Sequence, residues 1–483
     1  MAGGRVDSFF WHDYETSGTD TRRDRPMQFA GVRTDAELNI IDEPLVIYCR
    51  PAEDLLPHPM ACLITGITPQ KALEEGYPEA EFIALINEQL ARPGTCSVGY
   101  NSLRFDDEVT RNTLYRNFID PYAREWQNGC SRWDIIDMLR LTRALRPEGI
   151  VWPTYEDGTP SLRLEDLTKA NGIDHGKAHD AFSDVEATIA VAKLVKQAQP
   201  KLFEYVLSNR TKQKAQSMLD TERMKPVLHV SSKFPVEQGN LALVAPLATH
   251  PGNPNATLVW DLREDPKPLF ELNPEQLREL LFTRHDQLPE GAPKIALKLV
   301  HANRCPILAP AGMLNAEEAA RFEINGDICR THLSMLRNEP GLVEKLRSIY
   351  AEPMEAATDP DLALYSGGFF EDSDRKLMDK VRQADADTLT NLDLPFQDPR
   401  LEEMLIRYKA RNYPHTLREE EQHRWEEYRS HKLLTGDNGH LSFDELYAEM
   451  NRIAALPETS EQQRLILEEL ALYAESIYPM EFS

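Results

Sequence analysis

The stretch SFFWHDYET, residues 8–16, places two carboxylates at the end of an apolar run. Such a run is typical of a β-strand, and residues i and i+2 of a strand point to the same face. Asp13 and Glu15 are therefore expected to converge on one spot. Like charges so close raise each other's pKa, and a site that keeps both ionised usually holds divalent cations between them. Taken alone, the pair is also compatible with a solvated strand end.

Two further polar segments follow apolar runs later in the chain. NSLRFDDEV, residues 101–109, places Asp106 at the start of a predicted helix, where the helix dipole favours a carboxylate in any case. AHDAFSDVEATIAVAKLV, residues 178–195, has His179 just before a predicted helix and Asp184 in its first turns. One turn of helix can bring these two side chains towards the same cleft. Each segment alone has an ordinary structural explanation, so the set of three is what indicates a catalytic site.

Three patterns follow one another along the 483 residues, a length that exceeds one compact core. Up to about Gln199 short apolar runs alternate with helical stretches, which indicates an α/β layer structure. From about Lys201 to Tyr350 strand-like runs are separated by turn residues, which indicates a small β-rich module with added helices. AEPMEAATDPD, residues 351–361, is a candidate linker before a helical region. The sequence therefore predicts three domains, residues 1–199, 200–351 and 352–483.

The net charge of -25 argues against simple electrostatic binding of a polyanion. The excess of acidic residues is unevenly distributed. Residues 351–483 hold 29 acidic and 14 basic side chains, whereas residues 1–350 hold 50 acidic and 40 basic ones. A local basic groove in the first 350 residues therefore stays open as an interpretation. The six cysteines lie far apart without a CxxC pair, which predicts reduced thiols and no zinc site. The absence of a long apolar stretch or signal-peptide pattern predicts a cytoplasmic protein with no membrane span.

The three polar segments, in this order, resemble the motif of the DEDDh exonucleases of the RNase H-like superfamily. Their surroundings narrow the match, since HDYETSGTDTRRDRPMQFAGVRTD, LITGITP, GYNSLRFDDEVTRNTLYRNFIDPYA and DVEATIAVAKLVK are similar to the bacterial exodeoxyribonuclease I family. VAPLATHP, KLVHANRCPIL, GFFEDSDR and IRYKARNYPHTL extend the resemblance over essentially the whole chain. The resemblance implies an α/β RNase H-like exonuclease domain, an SH3-like β-barrel domain with extra helices, and an α-helical C-terminal domain.

The resemblance also implies an activity and a site. The expected activity is 3′-to-5′ hydrolysis of single-stranded DNA, processive and releasing 5′-mononucleotides, in DNA repair and recombination. Asp13, Glu15 and Asp184 are expected to ligate one Mg²⁺ that holds the attacking water. Asp13 would share a second Mg²⁺ supported by Asp106, and Mn²⁺ could replace either ion. His179 is expected to be the general base, a task that suits a group titrating near neutral pH.

The stretch from Arg104 to Trp126 interleaves arginines with aromatic residues. Single strands are commonly held by cations along the backbone and by aromatic faces under the bases. The strand-binding candidates here are Arg111, Tyr122 and Trp126, the last two expected to be exposed. The alternative, that aromatic side chains pack inward at helical spacing, is expected for most of the set Phe105, Tyr115 and Phe118.

Further candidates for substrate contact come from the family resemblance. Arg140 and Arg163 resemble strand-contacting positions, and an arginine fork suits phosphate, although either could form a surface salt bridge. Thr65, in LITGIT, resembles a residue that meets the terminal nucleotide, and Glu15 is expected to contact substrate as well as metal.

Two other functions stay open from the sequence. One is a DEDDh exoribonuclease that acts on RNA 3′ ends, and the other is a catalytically silent nucleic-acid-binding scaffold. The expected partners are single-stranded DNA and, by resemblance, the acidic C-terminal tail of single-stranded-DNA-binding protein, with the chain a monomer. The residues beyond the catalytic domain are interpreted as a clamp around the strand. Candidates for its inner wall are Arg330, Arg337, Arg407 and Arg411.

Overall fold

The computed structural model describes residues 6–176, 180–351 and 357–479. The described chain divides into two compact units. The first unit consists of the described parts of residues 5–131, 175–186 and 355–483, and the second of those in 132–174 and 187–354. This division differs from the three predicted domains, whose boundaries stay a prediction. Within the described residues, no helix combines the length and the apolar character needed to cross a membrane.

The N-terminal part of the chain alternates strands and helices as predicted. Its strands are β1 (Ser8–Thr16), β2 (Pro26–Thr34), β3 (Leu45–Tyr48), β4 (Thr95–Gly99) and β5 (Ser131–Asp134). Its helices are α1 (Pro59–Thr65), α2 (Pro69–Glu75), α3 (Glu79–Leu90), α4 (Asp106–Arg116), α5 (Ile135–Leu145), α6 (Leu164–Ala170) and α7 (Ala181–Ala198).

Strand β1 lies inside the sheet of the first unit. It pairs antiparallel with β2, from Phe9 opposite Thr34, and parallel with β4, while β3 lies on the far side of β2. Phe10 and Tyr14 point into a core formed with α3 and α4. Side chains of a strand alternate between its two faces, so Asp13 and Glu15, at odd-numbered positions, point to the face opposite to Phe10 and Tyr14.

The middle of the chain is β-rich with added helices, as expected. Its strands are β6 (Val227–Val230), β7 (Leu241–Thr249), β8 (Ala256–Asp261), β9 (Leu297–His301) and β10 (Ile307–Pro310). They form an antiparallel sheet in the order β10-β6-β7-β8-β9. The helices are α8 (Pro200–Asn209), α9 (Lys212–Met218), α10 (Lys267–Glu271), α11 (Pro274–Phe282), α12 (Ala316–Arg321), α13 (Gly326–Asn338) and α14 (Leu342–Ile349). The strand-like runs PVLHVSS, LALVAPLA, ATLVWDL and IALKLV correspond to β6, β7, β8 and β9, while β10 is short and ends on a proline.

Residues 357–479 form the C-terminal helical segment. Its helices are α15 (Asp372–Gln383), α16 (Ala386–Thr390), α17 (Arg400–Asn412), α18 (Glu419–Thr435), α19 (Phe443–Ala454) and α20 (Glu461–Ser476). One of its cores includes Leu56 and Cys62, which lie just before and within α1. Another includes Tyr115 and Phe118, at the end of α4. The helical segment therefore shares its cores with the N-terminal part of the chain.

Buried ion pairs correct one expectation for this segment. Asp359 and Asp361 are buried, and Arg407 donates to both, at 2.5 Å and 3.1 Å. Arg411 donates to Asp361 at 2.6 Å and to Asp54 at 2.9 Å. The last part of the candidate linker, at Asp359 and Asp361, is therefore packed within the helical segment. The expectation that Arg407 and Arg411 line the inner wall of a clamp is wrong, because both side chains form ion pairs inside the protein.

Candidate active site

Three carboxylates meet at the end of β1. Asp13 and Glu15 come from this strand, and Asp184 comes from the first turn of α7. Each offers one oxygen, and these oxygens all lie within 4.8 Å of one another. The convergence predicted from the i, i+2 spacing is therefore present, and it includes the distant Asp184.

A fourth carboxylate, Asp106, is fixed against the same strand. The backbone N–H of Tyr14 donates to its Oδ1 at 3.1 Å. Asn101 has φ 60°, so the chain turns sharply after β4 before α4 begins at Asp106. Thr110, one turn into α4, donates to the carbonyl oxygen of Asp106 at 2.8 Å. Asp106 thus lies beside the residue that separates Asp13 from Glu15.

The electrostatics of this carboxylate cluster fit a divalent cation. Burial raises the pKa of Asp13 well above its ordinary value, and the three neighbouring carboxylates raise it further. Burial, followed by the charges of Asp184 and Asp106, raises the pKa of Glu15 to about 8. Such groups repel each other when ionised, and a hard cation with oxygen ligands removes that repulsion. Asp13, Glu15 and Asp184 are the group of described residues with the spacing to hold it.

Two residues at this site were missed by the sequence analysis. His175 Nε2 lies 2.6 Å from Oδ1 of Asp184. Asp180 accepts a hydrogen bond from the N–H of Ser183 at 3.1 Å, and its charge also raises the pKa of Glu15. The signal was the run IDHGKAHD, which carries two histidines, of which only the one with the family spacing was chosen. That residue, His179, lies outside the described residues.

The strand-binding candidates of the first unit differ in exposure. Trp126 is 66% exposed, as expected, while Tyr122 is half-buried. The expected inward packing of Tyr115 and Phe118 is confirmed. Arg111 is only 3% exposed and donates to Oε1 of Glu125 at 2.7 Å.

Arg111 therefore faces carboxylates, a setting that the sequence did not reveal. It also donates to Glu108 at 2.9 Å, and its guanidinium lies 5.5 Å from the ring centre of Tyr122. The Arg111 guanidinium therefore packs directly against the Tyr122 ring. A contact between Arg111 and a nucleic-acid strand stays a prediction. Arg116 and Arg124 are buried in ion pairs as well, which leaves Arg104 as the exposed arginine of the stretch.

Thr65 is the last residue of α1. Its hydroxyl donates to the carbonyl oxygen of Ala61 at 2.9 Å and accepts from the N–H of Ile67 at 3.1 Å. Gly66 follows with φ 71°, a left-handed conformation that ends the helix. The hydroxyl thus shapes the loop, and its contact with the terminal nucleotide stays a prediction.

The remaining arginine candidates lie in the second unit. Arg140 is buried on α5 and donates to Asp137 at 2.5 Å. Arg163, before α6, is exposed and lies 3.4 Å from Glu165. Arg330 is exposed and paired with Asp327, and Arg337 is exposed and donates to the carbonyl oxygen of Arg223 at 2.6 Å. Contacts of these arginines with a strand stay predictions.

Three family models match successive parts of the chain. They are described as Exonuclease, over residues 10–192, Exonuclease I SH3-like domain, over 210–352, and Exonuclease I C-terminal domain, over 358–477. Among curated proteins, the chain is 51% identical to exodeoxyribonuclease I of Escherichia coli, over 88% of this chain and 90% of that protein. It is 47% identical to exodeoxyribonuclease I of Haemophilus influenzae, with the same coverage.

Solved structures agree with these matches. A moderately thermophilic exonuclease I from Methylocaldum szegediense superposes with a TM-score of 0.93 at 53% identity, covering 97% of this chain and 99% of that one. The zinc-bound complex of the Escherichia coli enzyme with single-stranded DNA gives 0.92 at 47% identity, covering 98% and 99%. The predicted fold class is thereby confirmed, with RNase H-like, SH3-like and helical parts. The chain belongs to the exonuclease I family.

Proposed function

We propose that this chain is a metal-dependent exodeoxyribonuclease that removes 5′-mononucleotides from the 3′ end of single-stranded DNA, many in succession. The observation that carries this function is the carboxylate cluster, in which Asp13, Glu15 and Asp184 present oxygens within 4.8 Å of one another. A solved member of the family is a complex with single-stranded DNA. Four carboxylates that converge on one spot would repel a phosphodiester, so the site needs cations to approach one.

The proposed cofactor is Mg²⁺, two ions per site, with Mn²⁺ able to replace it. Asp13, Glu15 and Asp184 would hold one ion, and Asp13 and Asp106 the other. A pair of such ions stabilises both the attacking and the leaving oxygen of a phosphoryl displacement. The zinc-bound structure of the Escherichia coli relative supports a divalent site in this family.

Residues of the chain then have distinct tasks. His179 would take the proton of the attacking water, as the family motif implies. The Tyr14 N–H orients Asp106, and His175 orients Asp184 through its contact at 2.6 Å. Groups that orient metal ligands in this way support both affinity and activity.

The family resemblance supports further parts of the proposal. The substrate is single-stranded DNA in repair and recombination, and the chain acts as a cytoplasmic monomer. A docking partner is the acidic C-terminal tail of single-stranded-DNA-binding protein. The competing function is hydrolysis of RNA 3′ ends by the same chemistry.

The test uses 5′-labelled oligonucleotides with the full chain and Mg²⁺. We expect the 5′ label of single-stranded DNA to appear on shortened strands, because nucleotides leave from the 3′ end. We also expect release of mononucleotides, and we expect a metal chelator to stop the reaction. Asp13→Asn is the variant that tests the site, since it keeps the shape of the side chain and removes its charge. Faster loss of RNA than of DNA in a direct competition would favour the exoribonuclease, and equal activity of Asp13→Asn would refute the site.

A further inference from the structure

The place of Asp106 depends on the first turn of α4, since Asp106 is the first residue of that helix. Helices commonly begin after a residue whose side-chain oxygen accepts from the free N–H groups. The residue before Asp106 is Phe105, which has no such oxygen. Asp107 and Glu108 follow, and although the helix dipole favours acids there, neighbouring like charges repel one another. The turn therefore needs contacts from outside to hold one conformation.

A buried arginine holds the middle acid of this turn. Arg124, in the short turn Ala123–Glu125 of the loop after α4, donates through Nη2 to Oδ1 of Asp107 at 2.7 Å. Both side chains are buried, with exposures of 1% and 2%. Among the described residues, Nε and Nη1 of Arg124 have no hydrogen-bond partner, and the Glu125 carboxylate lies farther off, at 4.0 Å. Asp107 is therefore the carboxylate that fixes this guanidinium.

The ion pair between Asp107 and Arg124 belongs to a buried group that includes β1. His12 on this strand is buried, and its pKa, which burial lowers to about 4, is also affected by the charges of Asp107 and Arg124. His12 precedes Asp13 as Asp107 follows Asp106, so the buried group is one residue away from a carboxylate of the site on each element. Neighbouring strand residues point to opposite faces, so the group lies behind the carboxylate cluster.

The Asp106 carboxylate itself depends on a contact with little tolerance. Its Oδ1 accepts from the N–H of Tyr14 at 3.1 Å, near the long end of the usual range for such a bond. A shift of the first turn of α4 away from β1 would break this hydrogen bond. The ion pair of Asp107 opposes such a shift, because it holds the neighbouring residue from the side of the loop.

We propose that Arg124 is a positioning residue for hydrolysis, which acts through Asp107 to hold Asp106 in place beside Asp13. The inference deepens the proposed function and rests on it. The divalent cation proposed to lie between Asp13 and Asp106 needs the oxygens of both at a fixed separation. A misplacement of about 1 Å can slow an enzyme about 100-fold. Loss of Arg124 is therefore expected to affect cation binding and turnover more than binding of the strand.

The test compares Arg124→Met with Arg116→Met in the full chain. Arg116 is also buried, lies in the last turn of α4 and pairs with Glu79 at 3.1 Å, so this control removes a buried cation at the end of the helix away from Asp106. We expect Arg124→Met to lower kcat about 10- to 100-fold and to weaken Mn²⁺ binding in calorimetry, with KM and single-strand affinity in EDTA kept within about threefold. Arg116→Met should keep both kcat and Mn²⁺ affinity.

Two further variants separate position from stability. Arg124→Met leaves the charge of Asp107 buried without its partner, which destabilises a fold, whereas the double variant Asp107→Asn/Arg124→Met removes both charges. The double variant should fold and lose kcat as Arg124→Met does. In EDTA its first hydrogen-bonded amides of α4, from Val109 onwards, should exchange with solvent faster. Arg124→Lys keeps a cation opposite Asp107 and should restore kcat towards that of the unaltered chain.

Two results would overturn the inference. One is a double variant with kcat and Mn²⁺ affinity within about twofold of the unaltered chain. The other is a loss of single-strand affinity with Mn²⁺ binding kept, since Arg124 would then support the neighbouring Tyr122 and Trp126 and not Asp106. If the unaltered chain neither bound Mn²⁺ nor digested single-stranded DNA, the proposed function itself would fail, so the two failures are distinguishable.

Discussion

Asp54 is the buried centre that ties the two halves of the first unit together. It lies between α1 and the sheet in sequence, and it is 1% exposed. Lys432 donates to it at 2.8 Å and Arg411 at 2.9 Å, both from the helical segment, while Arg25 lies 3.6 Å away. Although burial raises the pKa of this carboxyl, the three cations hold it well below its usual range. The carboxylate is therefore ionised throughout the neutral range.

Asp54→Asn removes that charge and keeps the shape of the side chain. Removing one partner of a buried ion pair typically costs about 3–5 kcal/mol, because the remaining charge stays buried. Burial already lowers the pKa of Lys432 to about 8, and it should fall further without the opposing charge. The matched control is Asp327→Asn, whose pair with Arg330 has side chains 89% and 73% exposed. That surface pair should contribute only about 0–1 kcal/mol.

Hydrogen exchange followed by mass spectrometry measures this effect segment by segment. We expect Asp54→Asn to lower the free energy of opening in α17, in α18 and in the adjoining sheet together, by several times the change in Asp327→Asn. A change confined to one segment, or equal in both variants, would refute the idea that Asp54 joins the halves. The same geometry means that residues 1–200 alone would expose Asp54 and the core around Cys62, so a clamp is better tested in the full chain.

Four other outcomes follow from the site. Asp184→Ala should abolish hydrolysis and weaken Mn²⁺ binding in calorimetry, while the circular dichroism spectrum stays that of the unaltered chain. Because the pKa of Glu15 is raised from 4.5 to about 8, the metal-free folded protein binds more protons than the unfolded chain between those values; its stability should therefore fall as pH rises through that window, and Mn²⁺ affinity should rise and level off above about pH 8. His179→Ala should reduce kcat by about 10²–10⁴ in single-turnover assays while Mn²⁺ affinity is kept, and loss of that affinity would make the residue a ligand. Arg104→Ala should make the slope of log K against log salt concentration, measured for single-strand binding, shallower by about 0.7. Arg116→Met, which changes a buried side chain, should leave that slope unaltered.

Local patterns were enough to predict most of the fold. The apolar runs SFFWHDYET and QFAGVRTD lie in strands, and the amphipathic stretch AEFIALINEQLA lies in a helix, because burial and local periodicity agree there. The packing between distant parts of the chain could not be predicted from such local patterns. The cores that the helical segment shares with the N-terminal part of the chain join residues hundreds of positions apart, and periodicity carries no information about such pairs.

The candidate site shows the same limit. The spacing of Asp13 and Glu15 predicts their convergence, since a strand fixes it, and the family motif adds the distant Asp184. The setting of Arg111 could not be predicted, because alternating arginines and aromatics look alike whether the guanidinium faces phosphate or Glu125. Only the contact that the Arg111 guanidinium makes decides between the two settings. That contact depends on the loop after α4, which carries Glu125.

The burial of cations explains how an acidic protein can still select a polyanion. Arginines and lysines of the first unit that are buried beside carboxylates contribute nothing to attraction at long range, and the chain keeps a net charge of -25. Attraction must therefore be local. Divalent cations held by Asp13, Glu15 and Asp184 would supply positive charge at the scissile phosphate. Exposed rings such as Trp126, the predicted strand-binding residue, would bind bases without regard to charge. A duplex would gain little from the rings, because its bases are already stacked, and its two charged strands would be repelled by a protein of net negative charge. The preference for a single strand then follows from where the charges and rings are placed, with no need for a basic groove.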